Sequence, residues 1–178
     1  MANPDTTITS NRSPLLMVAM LMGILVLVLL MGAVFPIPEL GHLMVIIGFA
    51  ASLLQTLTPF IPPSWADAPR RAYAASLLQW GAMVSVGGAF GLLLYGFITS
   101  DFSIALVARH SHSLKPMIYK IAGTWGNHEG SLLLWVLILV VFGGVFAATA
   151  RRPQRQGLAP NFTTITLAVQ GAVTTAFL

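Results

Sequence analysis

Long stretches with almost no charge dictate what this chain can become. Leu15–Phe35 carries no charged residue at all. Leu40–Ile61, Ala74–Ile98 and Leu132–Ala150 are nearly as apolar, and a further run starts near Phe162 and reaches Leu178. A helix needs about 20 apolar residues to cross the hydrocarbon core of a bilayer. Inside that core every backbone N–H and C=O must be paired within the protein, which restricts spanning segments to helices or closed barrels. Continuous apolar runs without period-two alternation read as helices. The expected fold is therefore an all-α integral membrane protein, a multi-pass bundle of about five transmembrane helices. The last helix breaks off at Leu178 without a stop signal, so the chain reads as a fragment. Composition agrees. Hydrophobic residues make up 56% of the chain and charged residues 8%, against roughly a quarter charged in soluble domains.

The joints are marked by prolines. "PIPE" at Pro36–Glu39 reads as a tight hairpin, "PFIPPSWADAPRR" as a short polar loop, and "RRPQRQGLAP" as a second one. The spans are expected at about 40–61, 74–98, 131–150 and 162–178, behind an N-terminal extension and extra span over 1–35. Leu15–Phe35 is too long for the core of a signal peptide and reads as a retained anchor. Residues 99–127 form the long connection, and "KPMIYKIAGTW" within it suits a short interfacial helix. Arg12, Arg70, Arg71, Arg151, Arg152 and Arg155 fall on one side of the membrane, and Arg109, Lys115 and Lys120 on the other. The positive-inside rule puts the first set, and the N-terminus, in the cytoplasm. Loop 99–127 is then periplasmic. The basic residues lie in short loops between apolar runs, which is no nucleic-acid footprint. With no cysteine in the chain, structural disulfides and thiolate metal sites are excluded.

The polar residues at the mouths of these runs are the candidates for function. In "TWGNHEGSLLLW", Asn127 is placed to cap a helix, so that His128 and Glu129 become its first two residues. A carboxylate there meets the positive end of the helix dipole and its free N–H groups. Gly126 and Gly130 allow close backbone approach, and Ser131 stacks one turn above Asn127. The pair also suits an outward polar cluster that touches a ligand or moves a proton. Trp125 and Trp135 flank it as belt residues or as flat surfaces for a flat cofactor. Glu39 and His42, at i and i+3, share one face at the same expected end of the bundle. "RHSHS" at Arg109–Ser113 lacks the ligands and supporting shell of a metal site and suits an anionic partner instead. "GGAFG" at Gly87–Gly91 and "FGGVFAA" at Phe142–Ala148 offer small-residue faces that should pack closely.

"LVARHSHSLKPMIYKIAGTWGNHEGSLLLWVLIL", with "IPELGH" at Ile37–His42 upstream, resembles the CcmF family of cytochrome c maturation proteins and its NrfE-like relatives. Trp125, Gly126, His128, Glu129, Gly130 and Ser131 fall on that family's "WGxHEGS". The resemblance runs from about Pro38 to Leu178 and marks the chain as the N-terminal portion of such a protein. It implies a multi-span haem lyase of the bacterial inner membrane, which joins haem vinyl groups to the two thiols of an apocytochrome c CxxCH motif. It further implies haem as cofactor and, as partners, apocytochrome c, a haem chaperone and other maturation subunits in the bilayer. The family's tryptophan-rich "WGxxxxWD" haem-binding loop and its haem-ligand histidines are absent here, so no residue is assigned as catalytic or as an iron ligand. The expectation is of an outer-face scaffold built from Trp125, Gly126, His128, Glu129, Ser131, Glu39 and His42. A proton-relay or transporter subunit, and a non-catalytic docking module, are the alternatives.

Overall fold

The structure is a computed structural model and describes residues 36–150 and 160–178. The chain divides into two units, Met1–Phe35 and Pro36–Leu178. The expected first span lies in the former, outside the described residues, as do residues 151–159 with their three arginines. Everything regular among the described residues is helical: α1 Ile37–Leu57 with a 3-10 turn at Thr58–Phe60, α2 Ala68–Thr99, α3 Ala105–His110, α4 Met117–Gly123, α5 His128–Ala150 and α6 Pro160–Phe177.

Local chemistry sets the helix ends. Pro36 and Pro38 start α1, where a missing N–H costs nothing. Pro59 falls in the closing 3-10 turn, and Thr58 Oγ1 donates to the Gln55 carbonyl at 2.7 Å. Asp67 caps α2 by accepting from the Arg70 N–H at 3.0 Å. This cap places Arg70 and Arg71 in the first helical turn, where the apolar pattern alone left them in a loop and began the span at Ala74. The 32 residues of α2 extend about 48 Å at 1.5 Å per residue, well beyond a hydrocarbon core of roughly 30 Å. Its far end closes on Ser100, the one non-glycine residue with positive φ (56°) among those described. The Ser100 and Asp101 N–H groups there donate back to Phe97 and Gly96, a left-handed cap.

Three helices are long and apolar enough to cross a membrane: Ile37–Phe60, Ala68–Thr99 and His128–Ala150. The expected count of about five thus stands at three among the described residues. The run over 162–178 does form a helix, α6, but with too many threonines to be counted as a span by its own composition.

The helices run alternately up and down. At one end Arg71 ties three of them together, with Nη1 donating to the Ile61 carbonyl and Nη2 to Asn161 Oδ1, both at 3.3 Å. Between the ends small side chains let the backbones close up, as membrane packing favours. Ala51, Ala82, Val86, Val136 and Val140 form one buried cluster, and Ala75, Ala147 and Leu167 another. Glycines of the two small-residue stretches face neighbouring helices at close range, though not one another. Gly144 faces Met83 and Trp80 of α2, while Gly88 faces Met44 of α1. Outward positions such as Ile46, Phe142 and Val145 are large and exposed, a surface that suits lipid.

Inside the bundle, three glutamines meet. Gln55 Nε2 lies 3.0 Å from Gln79 Oε1 and 3.1 Å from Gln170 Oε1, and also faces the Leu167 carbonyl. Gln79 Nε2 donates to the Val140 carbonyl at 2.8 Å, and Gln170 Nε2 to the Leu139 carbonyl at 3.3 Å and Thr174 Oγ1 at 3.1 Å. All four long helices contribute. Gly143 makes room: a Cβ there would lie 2.6 Å from Gln170 Oε1.

Candidate functional site

The expected helix start at Asn127 is present in full. Asn127 Oδ1 accepts from the Gly130 N–H at 2.7 Å, and its Nδ2 donates to the Gly123 carbonyl at 2.8 Å. One side chain thus caps the start of α5 and holds the end of α4. The Ser131 N–H returns to the Asn127 carbonyl at 3.0 Å, and Ser131 Oγ donates to the His128 carbonyl at 2.9 Å. The turn is tight enough to need its glycines. A Cβ on Gly130 would strike the Thr124 carbonyl oxygen, and one on Gly126 would lie 3.0 Å from the Ala122 carbonyl oxygen. Gly126, Asn127, Gly130 and Ser131 are therefore consumed in making the turn.

His128 and Glu129 are not. Both side chains are exposed, and neither makes a hydrogen bond or ion pair among the described residues. Trp125 beside them is 42% exposed, and Trp135 lies further along the outer surface of α5. The motif thus separates into residues that fold the turn and residues the turn presents.

Glu39 and His42 are exposed in the first turns of α1, at the same end of the bundle. His42 Nδ1 lies 2.8 Å from the Pro38 carbonyl. A carbonyl only accepts, so Nδ1 is the donor in this contact. His42 lines an apolar groove of about 330 Å³, with Ile37, Pro38 and Val45 of α1, Ala89 and Leu93 of α2, Ile104 before α3, and Leu133 of α5. His128 and Glu129 do not line it. The structure brings the two His/Glu pairs to one end of the bundle without joining them by any bond.

A haem group needs an axial ligand and partners for its carboxylates. The groove supplies one imidazole and no cationic side chain, so its lining by itself does not make up a haem site. No group of three His, Cys, Asp or Glu able to hold a metal occurs among them. His110 of the "RHSHS" stretch ends α3, with Nδ1 3.1 Å from the Leu106 carbonyl, and is not in a strand-like arrangement with His112.

The glutamine cluster was not among the expected site residues. Gln55, Gln79 and Gln170 each stand isolated in an otherwise apolar run, and that isolation was the available signal, since a polar side chain in a span must find a partner.

Comparison with known proteins places these features. No family model matches the chain. It is 42% identical over 144 residues to the cytochrome c-type biogenesis protein ccl1 of Rhodobacter capsulatus, covering 80% of this chain and 21% of that protein. It is 39% identical over 142 residues to the cytochrome c-type biogenesis protein CcmF of Pseudomonas aeruginosa, again over 80% and 21% of the two chains. With the probable cytochrome c-type biogenesis protein NrfE of Escherichia coli it shares 41% over 122 residues, 62% of this chain and 21% of the other. A solved structure, the cytochrome c heme lyase CcmF, superposes with a TM-score of 0.69 at 27% identity, over 80% of this chain and 23% of that one. The chain spans about a fifth of the length of the curated relatives it matches.

Proposed function

The chain belongs to the CcmF family of cytochrome c-type biogenesis proteins, and from that premise we propose that it serves cytochrome c maturation as part of a membrane haem lyase. In this reading the protein helps to join haem to the CxxCH thiols of apocytochrome c in the bacterial inner membrane. Loop 99–127 and the starts of α1 and α5 face the periplasm, where apocytochrome c, a haem chaperone and other maturation subunits meet it. The chain supplies no thiol of its own, as befits a protein acting on a partner's thiols. No step of haem attachment is assigned to its residues.

The observation that carries the site reading is the division of labour within "WGNHEGS". The fold uses Gly126, Asn127, Gly130 and Ser131 and leaves His128 and Glu129 exposed and unbonded. We assign these two, with Trp125 alongside, to contact with the haem-bearing or thiol-bearing partner, and Glu39 and His42 to the same end. Among the described residues, the polar groups buried within the four long helices are amides and hydroxyls that do not ionise near neutrality, which lends the proton-relay alternative no support.

The test is made in the complete protein, in cells. His128→Ala and Glu129→Ala should lower holocytochrome c several-fold, read by haem stain, with the membrane level of the variant unchanged. Full holocytochrome yield at normal protein level would remove the pair from the function.

A further inference from the structure

Helix α4 is inside out for a segment washed by water. Its lysine, Lys120, is only 9% exposed and donates from Nζ to Ser100 Oγ at 2.6 Å. Gly123 also points inward, where a Cβ would lie 2.9 Å from the Phe97 ring. At about 100° per residue, the other positions sweep one continuous outward arc: Met117, Ile118, Tyr119, Ile121 and Ala122. Ile118 is 72% exposed, and Leu114 just ahead of the helix is 89% exposed. Burying an ammonium while exposing such an arc is unfavourable on both counts in water. Exposure of the arc becomes favourable if it meets acyl chains, and a lysine turned inward onto Ser100 then stays clear of the hydrocarbon.

The position of the segment allows this. It connects two membrane spans, α2 and α5, and so returns to the bilayer surface it left. The charge beside it has one sign. Arg109, His110 and His112 are exposed and Lys115 is half-exposed, with Lys115 Nζ on the His110 carbonyl at 2.9 Å. Asp101 is the one acidic residue between Thr99 and Asn127, and it is occupied by the N–H and hydroxyl of Ser103, at 3.0 and 2.6 Å. Arg109 makes no ion pair among the described residues.

We propose that Arg109–Ala122 is a binding surface for an anionic phospholipid bilayer. The α4 arc and Leu114 enter the acyl boundary, and Arg109 and Lys115 meet lipid phosphates. An apolar face rimmed by cations is the pattern of helices that lie in the interface plane, and basic side chains are drawn to anionic headgroups. Lys120, turned inward onto Ser100, anchors the segment to the bundle and leaves the arc outward. The proposal stands independently of the maturation role.

The cysteine-free chain permits a direct test. Single cysteines at Leu114 and Ile118 are nitroxide-labelled, with Phe142→Cys as the acyl-facing control and Ser64→Cys, in the exposed loop between α1 and α2, as the aqueous one. The 178-residue chain is reconstituted in nanodiscs of phosphatidylcholine, with or without phosphatidylglycerol. Labels at 114 and 118 should resemble Phe142→Cys, reached by oxygen and several-fold less by a water-soluble nickel chelate than Ser64→Cys. Phosphatidylglycerol should deepen both labels, and Arg109→Ala with Lys115→Ala should abolish that deepening. Circular dichroism on each variant verifies the fold, and the two label sites check each other. Nickel access at both sites equal to Ser64→Cys would overturn the proposal and mark the face as one for a protein partner. Deepening that survives loss of both cations would overturn the anionic-headgroup assignment.

Discussion

The Gln55 side-chain amide donates to Gln79 Oε1 at 3.0 Å, inside the bundle where neither side chain reaches the surface. Through the same nitrogen Gln55 also faces Gln170 and the Leu167 carbonyl of α6, the one of the four long helices not counted as a span by its own length and composition. In hydrocarbon, association cannot rely on expelling water and depends on close packing and interhelical hydrogen bonds. The cluster adds interhelical hydrogen bonds to the packing of Leu167 and the Arg71–Asn161 contact that also hold α6.

The first prediction tests that bond. Gln55→Leu and Gln79→Leu should each destabilise the bundle, and the pair should be non-additive by about 0.6–1.7 kcal/mol, the span seen for interhelical hydrogen bonds in membranes. Reversible unfolding in mixed micelles supplies the four corners of the cycle. Simple addition of the two losses would show that the contact contributes nothing.

The second concerns the turn before α5. Gly130→Ala forces a Cβ into the Thr124 carbonyl oxygen, whereas a Cβ on Gly41 meets nothing within 4 Å. Overpacking of this kind typically costs about 1–3 kcal/mol. Gly130→Ala should lower the thermal midpoint in detergent and the yield of folded protein, and Gly41→Ala should leave both unchanged. Equal behaviour of the two variants would contradict the geometry.

The third separates the two roles of Asn127. Asn127→Ala removes the cap on Gly130 and the bond to the Gly123 carbonyl, and should cost about 1 kcal/mol for the cap alone. Asn127→Asp keeps an acceptor for Gly130 but sets a carboxylate against the Gly123 oxygen. It should retain part of the loss, with increased hydrogen exchange at the end of α4 while the start of α5 stays protected. Uniform protection in both variants would show that the side chain does not join the two helices.

Legibility in the sequence followed the range of each signal. The three apolar spans and the Asn127 start were readable because hydrophobic run length and capping are local properties of neighbouring residues. The start of α2 was misplaced because run length ignores Asp67, whose cap draws Arg70 and Arg71 into the helix. Glu39, His42, His128 and Glu129 could be assigned to one end of the bundle from sequence, since alternating spans fix which loops share a side. Whether their side chains were needed by the fold could not be read, because that depends on what packs beside them.

The sequence by itself determined a helical membrane protein, its three described spans and the turn that presents His128 and Glu129, since each rests on contacts within a few residues. The tertiary structure alone decided the meeting of Gln55 with Gln170, 115 positions apart, the turning of Gly88 toward α1, and the inward lysine of α4. A lone polar group in an apolar run announces that it must be satisfied, but only the packed bundle supplies the partner.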